Sequence, residues 1–320
     1  MIWGKKVVRF ARYSGASVAL AGAVLASGVA FAADLPSRKA PPIAVAPAPI
    51  MTWTGFYAGL NAGYGWSADP STRLTGGNAF VNPGLAGAFV NVPLAAALSA
   101  SGVAPASKGG FIGGGQVGFN YQMSPSLLVG LEADIQGVFA GSSNGSIVNA
   151  IPIAAPPGPA GRLDISNIAT TSKLGYLATV RGRFGLLATP SLLVYATGGL
   201  AFGQASASAA IVQTVTNPPG PPIQPTFGAA STSATRLGWA LGAGGEWKFA
   251  ANWSAKLEYL YYDLGSLTNN VVLTQFGPPG PALQSITVSQ ARTRLNGHVV
   301  RAGLNYHFNC CSAAPVVAKY

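Results

Sequence analysis

The chain has 320 residues, of which 8% are charged and 49% hydrophobic; it carries 42 glycines, and 19 Lys and Arg stand against 8 Asp and Glu. A soluble domain is expected to carry about 25% charged residues, so this composition argues against an ordinary water-facing surface. Beyond the N-terminal leader no uninterrupted apolar stretch reaches ~18 residues, which excludes helical membrane spans and leaves a closed β-barrel as the membrane fold.

In chain order, Lys5, Lys6, Arg9 and Arg12 precede the apolar segment "SGASVALAGAVLASGV", which ends in Ala30-Phe31-Ala32. A basic start, a short apolar run and a small-x-small end predict a signal peptide over 1–32, cut after Ala32; the run is too short for a membrane anchor. Without those four basic residues, 15 cations face 8 acids, a net charge of +7. The cations are scattered singly, without the clustering and stacking aromatics that a nucleic-acid site requires, so no nucleic acid is expected as partner. Residues 33–52 begin "ADLPSRKAPPIAVAPAPI" and read as an extended, Pro-rich periplasmic linker.

From Trp53 the pattern changes to period two. In "WTGFYAGLNAGYGW" Thr54, Phe56, Ala58, Leu60, Ala62, Tyr64 and Trp66 share one phase, while the other is mostly glycine with Tyr57 and Asn61. This is a strand signature. It recurs at 109–122, 127–139, 174–187, 191–205, 235–249, 253–265 and 294–308. The segment "GGFIGGGQVGFNYQ" contains the G-x-G-x-x-G spacing of a dinucleotide-binding turn at Gly113, Gly115 and Gly118. That spacing needs a helix to follow, and here the alternation continues into a turn, so Gly113 to Gly118 are read as a barrel strand whose small residues make room for side chains from across the lumen.

Three of the connections are short, at 123–126, 188–190 and 250–252, and four are long, at 67–108, 140–173, 206–234 and 266–293. Short turns at one end and long loops at the other predict an all-β fold: an eight-stranded antiparallel transmembrane β-barrel over 53–308, with short periplasmic turns and four long extracellular loops. The aromatics fall into two girdles, as membrane interfaces favour. One holds Trp66, Phe111, Phe139, Tyr176, Phe202, Trp239 and Tyr261, the other Phe56, Tyr121, Phe184, Phe249, Trp253, Tyr306 and Phe308.

The segments "AADLPSRKAPP", "WTGFYAGLNAGYGW" and "VVRAGLNYHF" resemble the alphaproteobacterial outer-membrane β-barrel proteins of the RopB-like surface-antigen type, related in architecture to the OmpA membrane domain. The resemblance implies location in the Gram-negative outer membrane, a surface role and handling of the terminal aromatic strand by the barrel-assembly machinery. It implies no catalytic residues. The tail 309–320, "NCCSAAPVVAKY", departs from it, and its vicinal Cys310 and Cys311 receive no assigned chemistry.

Nine charged residues occupy the inward phase: Glu132, Asp134, Arg181, Arg183, Glu246, Lys248, Lys256, Glu258 and Arg301. The interior of an eight-stranded barrel is only wide enough for side chains, so these are expected to pair and plug it, with a narrow porin as the alternative. Near the bases of the long loops lie Arg73, Lys108, Arg162, Lys173, Arg236, Arg292 and Arg294, read as a rim that meets lipopolysaccharide. The "PPGP" stretches at 156–159, 218–221 and 278–281 are read as rigid loop tips and candidate contacts for surface ligands, with strands flanking the last of them as a hairpin and "IVQTVTNPPGPPIQ" around the second as another candidate hairpin. His298 is read as a rim histidine. No catalytic constellation, metal-ligand spacing or cofactor motif is found.

Overall fold

The computed structural model describes residues 52–84, 91–106, 109–153, 161–216, 224–277 and 282–308. The leader, nearly all of the linker, Lys108, the three Pro-Gly tips and the tail with its two cysteines lie outside the described residues. The elements are β1 (Gly55–Ser67), β2 (Ser71–Val81), α1 (Val92–Ser99), β3 (Gly102–Pro105), β4 (Gly109–Gln122), β5 (Leu127–Val138), β6 (Ser143–Pro152), β7 (Leu163–Thr189), β8 (Leu192–Val215), β9 (Thr226–Lys248), β10 (Trp253–Gly277) and β11 (Ala282–Phe308).

All strands belong to one antiparallel sheet of eleven. Pairing runs β1-β4-β5-β7-β8-β9-β10-β11, and β11 pairs back onto β1 from Phe56↔Phe308 to Ser67↔Gly297, so the ladder closes on itself. The remaining strands add to this ring at one end: β2 beside β11, β3 beside β2, and β6 beside β7. Alternation decides what each face carries. Phe56, Leu60, Leu131, Ile135, Val180, Leu200, Leu241, Leu257 and Val300 form an exposed apolar outer wall, and the polar phase is buried inside. Phe111, Phe139 and Trp239 at one edge of that wall, and Phe184, Phe249 and Phe308 at the other, are also exposed.

The regions read from sequence as long loops are largely sheet. Strands β7 to β11 have 23 to 27 residues, whereas a tilted membrane strand needs about 9–11. The ring therefore continues past the aromatic edge as an extension built from the far halves of these strands together with β2, β3, β6 and α1. Two irregularities change which phase faces inward on the way. The pairing of β7 with β8 slips between Leu174 and Tyr176, and β10 slips against β11 between Asp263 and Ser266, where Gly265 has φ +78°. Below the slip β7 buries Thr179, Arg181 and Arg183; above it Asp164, Ser166, Ile168 and Thr170 are buried.

Along the interior, composition is layered. Trp53, Leu128, Leu193 and Tyr195 cluster at the end with the short turns. Beyond the charged residues described below, Ile112, Leu177, Ala201, Leu260 and Val299 form an apolar layer. Leu74, Ile168, Ile211, Val271 and Leu273 fill the extension. The helix α1, which starts at Val92-Pro93 as a first-turn proline permits, packs Val92 and Ala95 against Ile153 and Val215.

Ser99 at the end of α1 ties the helix down: its Oγ donates to Asp164 Oδ1 at 2.7 Å and lies 2.8 Å from Ser166 Oγ, while Gln213 Nε2 donates to Ala96 O at 2.7 Å. Burial pushes the Asp164 carboxyl up to about 6, against the opposing pull of the Ser99 hydrogen bond. An unfolded aspartate titrates near 3.9, so between about pH 4 and 6 the docked state holds a proton that the released state has lost. Docking is therefore expected to weaken as pH rises through this window and to stay weakened above it. Hydrogen-exchange protection of the α1 amides should fall from pH 4 to pH 7, and Asp164→Asn should remove that fall.

Candidate functional site

The polar interior is assembled by five strands. β5 supplies Glu132 and Asp134, β7 Arg181 and Arg183, β9 Glu246, β10 Lys256 and Glu258, and β11 Arg301. Residues two apart share a face, so each strand delivers its charges to one level of the ring.

Arg181 is central. Its Nη2 lies 2.6 Å from Glu132 Oε1 and 2.8 Å from Asp134 Oδ2, and its Nη1 lies 2.9 Å from Glu258 Oε1. Arg301 sits against the same acids, with Nη2 2.5 Å from Glu258 Oε2 and 3.0 Å from Asp134 Oδ2. Lys256 Nζ is 2.9 Å from Glu132 Oε1, and Arg183 Nη2 is 2.7 Å from Glu246 Oε2. None of these eight side chains has exposed area. Four carboxylates meet four cations, which is the condition under which charge survives removal from water.

Lys248, the ninth residue of the predicted set, does not join them. Its Nζ donates to the Thr52 carbonyl at 2.6 Å and stands 4.8 Å from the Trp53 ring centroid. Trp53 is 1% exposed and its Nε1 donates to Pro190 O at 3.0 Å, so this cation–π pair sits beside the short turn between β7 and β8. With Lys248 held by a neutral carbonyl and a ring, the charge count of the network balances.

Several members escape a reading based on charge alone. Tyr57 OH donates to Glu132 Oε2 at 2.7 Å and accepts from Arg183 Nη1 at 2.8 Å, while the Tyr195 ring lies 3.9 Å below the Arg183 guanidinium. Glu246 Oε1 accepts from Ser254 Oγ at 2.5 Å and Asn305 Nδ2 at 2.7 Å, and His307 Nε2 lies 2.8 Å from Ser254 Oγ. Gln116 and Asn305 are also hydrogen-bonded. All occupy the inward phase, the one signal by which sequence could have found them.

Glycines make the room, though not as the sequence suggested. Gly118 is the cross-strand partner of Tyr57, whose ring lies where a Cβ would be, and Gly244 stands in the same relation to Tyr195. The space thus serves the adjacent strand rather than the far wall. Gly113 meets the exposed Phe111 ring and faces outward.

The seven rim candidates divide, with Arg73 exposed on β2. Arg292 and Arg294 are exposed on the outer wall, with Arg292 Nε donating to Ser266 Oγ at 3.0 Å and Arg294 Nη2 2.7 Å from Asp263 Oδ2. Lys173 is exposed as well. Arg162, only 4% exposed, is an interior residue, and Arg236 lies on the inward phase of β9 with its Nε buried. Arg236 belongs to a regular strand whose alternation turns it in, and Arg162 is buried just before β7 begins, which corrects their reading as rim contacts. Lys108 lies outside the described residues. His298 is packed between Trp66 and Tyr261, with ring centroids 5.5 and 5.3 Å away, and its Nδ1 is 2.6 Å from Tyr259 OH. Among the described residues no group of His, Cys, Asp and Glu is arranged to hold a metal ion.

A family model and relatives matched by sequence agree with this architecture. Residues 40–308 match the model of the outer membrane protein beta-barrel domain. The chain is 34% identical over 281 residues to the 31 kDa outer-membrane immunogenic protein of Brucella melitensis, covering 87% of this chain and 93% of that protein. It is 26% identical over 283 residues to the 25 kDa outer-membrane immunogenic protein of Brucella abortus, covering 88% and 92%. Among solved structures, the outer membrane protein OprG of Pseudomonas aeruginosa aligns over 80% of this chain and 97% of its own, with 10% identity and a TM-score of 0.34.

Proposed function

The chain belongs to the outer-membrane β-barrel family, and from that premise we propose that it is a non-conducting, non-catalytic surface barrel whose membrane segment is a ring of eight strands sealed by its own ion pairs. The observation that carries this reading is the balanced set of four acids and four cations, fully buried inside a ring whose ladder returns to its first strand. An interior of eight strands has room for side chains and little else, and here the largest of them point into one another. The apolar layer of Ile112, Leu177, Leu260 and Val299 gives a second seal beyond the charges.

With the lumen closed, the role passes to the outside. The extension rises beyond the aromatic edge as a broad sheet wall, the part of the molecule offered to the surroundings of the cell. The relatives' description as immunogenic fits such a wall, and a surface-antigen, adhesion or envelope-stabilising role is the reading it supports. Exposed Arg292 and Arg294 favour contact with anionic saccharide lipid, and the closing strand β11 is the natural element for the barrel-assembly machinery to handle.

Planar-bilayer recording of the refolded protein tests the seal. The expected result is a silent bilayer containing verified folded protein, silent also for Glu258→Lys. Reproducible steps whose ion selectivity changes with Glu258→Lys would overturn the sealed barrel and put a narrow porin in its place.

A further inference from the structure

We propose that a cleft in the outer wall, where β9 parts from β10, binds the phosphorylated saccharide headgroup of an outer-leaflet lipid. This deepens the membrane placement proposed above and rests on it.

The cleft has a topological origin. β9 and β10 pair only from Ser254↔Lys248 to Asp263↔Trp239. Beyond Asp263 the bulge at Gly265 carries β10 on with β11, while β9 continues with β8 alone. The wall opens into a recess of about 670 Å³, bordered by Leu237 and Trp239 on β9, Asp263 and Ser266 on β10, Arg292 and Arg294 on β11, and Arg73 on β2.

Its charge is unbalanced in a specific way. Arg73 and Arg292 are direct cross-strand partners, and both are exposed. Like charges directly opposite each other on neighbouring strands are destabilising, and an anion shared between them reverses the sign. The carboxylates at hand do not serve. Asp263 is paired with Arg294 at 2.7 Å, and Asp69, which also lines the recess, accepts from Ser71 Oγ at 2.8 Å, so three guanidinium groups face two carboxylates. Among the described residues neither Arg73 nor Arg292 has a carboxylate within ion-pair distance, and two guanidinium forks side by side match the oxygens of a phosphate.

The second observation is aromatic. Trp239, Tyr261, His298 and Trp66 form a row of neighbouring rings with centroids 5.3 to 5.5 Å apart, and Trp239 is also the lower lip of the cleft. Such rings settle where acyl chains meet headgroups. Arg294 lies four residues beyond His298 on the same strand, roughly 10 Å higher once strand tilt is allowed for. Phosphates attached to sugars above the acyl boundary lie at that height, and sugar faces can rest on the ring row.

The test is binding of bisphosphorylated lipid A, in mixed micelles, to the barrel refolded from the full chain, with dephosphorylated lipid A as control. Binding is expected to weaken at least tenfold in Arg73→Gln/Arg292→Gln, to weaken with added salt, and to be lost on dephosphorylation. A folded double variant with wild-type affinity would overturn the cleft. So would a preference for a soluble sulfated polysaccharide over the lipid. Failure of wild-type protein to insert into bilayers would instead overturn the membrane placement, so the two readings fail separately.

Discussion

Replacing Arg181 by methionine is expected to cost the folded barrel about 3–5 kcal/mol, the penalty for removing one partner from a buried ionic cluster. Arg181 lies within ion-pair distance of Glu132, Asp134 and Glu258. Methionine fills similar length but leaves three carboxylates with Arg301 and Lys256, so the cluster acquires a net negative charge where water cannot relieve it. The urea midpoint of the heat-modifiable folded band in detergent reads this loss directly. Lys248→Met is the matched comparison. It removes a cation of similar burial whose contacts are the Thr52 carbonyl and the Trp53 ring, so no acid is stranded. Its cost should be about 1–2 kcal/mol, the scale of a hydrogen bond and a cation–π contact. Equal costs for the two variants would show that charge balance is not what the interior depends on.

Gly63→Val is expected to destabilise the closing seam by ~1–3 kcal/mol or more, the usual range for overpacking. Gly63 is the cross-strand partner of Arg301, and a Cβ there would lie 2.6 Å from the Arg301 Cα, 2.7 Å from its Cβ, and against the Val300 carbonyl. Two of these are backbone atoms, so relief requires the strands to separate. Separation moves the Arg301 guanidinium away from Glu258, so the damage spreads into the ion pairs. Valine is a better strand former than glycine, which makes the direction of the effect diagnostic of packing. Gly77→Val on β2, where a Cβ would meet nothing within 4 Å, should leave the folded fraction unchanged. The fraction of heat-modifiable protein after refolding, compared across the two variants, checks the pair.

Alternation made much of the ring legible. Where lipid lies outside and charge inside, as around Leu131-Glu132-Ala133-Asp134, two chemically opposite faces strengthen the period-two signal, and all nine inward charges were placed on the buried phase. The signal fades above the aromatic edge because the outer face no longer needs to be apolar. In "ASASAA" both phases are small or polar, so this stretch of β8 reads as loop, whereas "IVQTV" just beyond it reads as the arm of a hairpin. The slip near Gly175 then defeats phase counting: Arg181 is inward on odd numbers and Asp164 on even ones. Arg236 had no such obstacle. It shares the inward phase of Gly242, Gly244 and Glu246 on an uninterrupted β9, and its reading as a rim residue follows only from its place at the start of the segment 235–249, next to a region read as a long loop. The Trp53–Lys248 contact joins positions about 200 residues apart in sequence, and neither carries a local mark of the other. The cleft needs three-dimensional pairing too, since the opposition of Arg73 to Arg292 exists only once β2 adds to β11.

The pairing of Phe56 with Phe308 has a kinetic meaning. These partners are about 250 positions apart, so the contact that finishes the ring is among the most non-local the chain makes, and such contacts form late. Until the last strand is in place, β1 and β11 each present a row of unpaired backbone groups, the edge that invites association with other chains. A chain shortened by one terminal strand keeps every earlier pairing yet never loses that edge. The final 27 residues of the sheet therefore decide whether the protein matures as a closed ring or persists as a sticky, open ribbon.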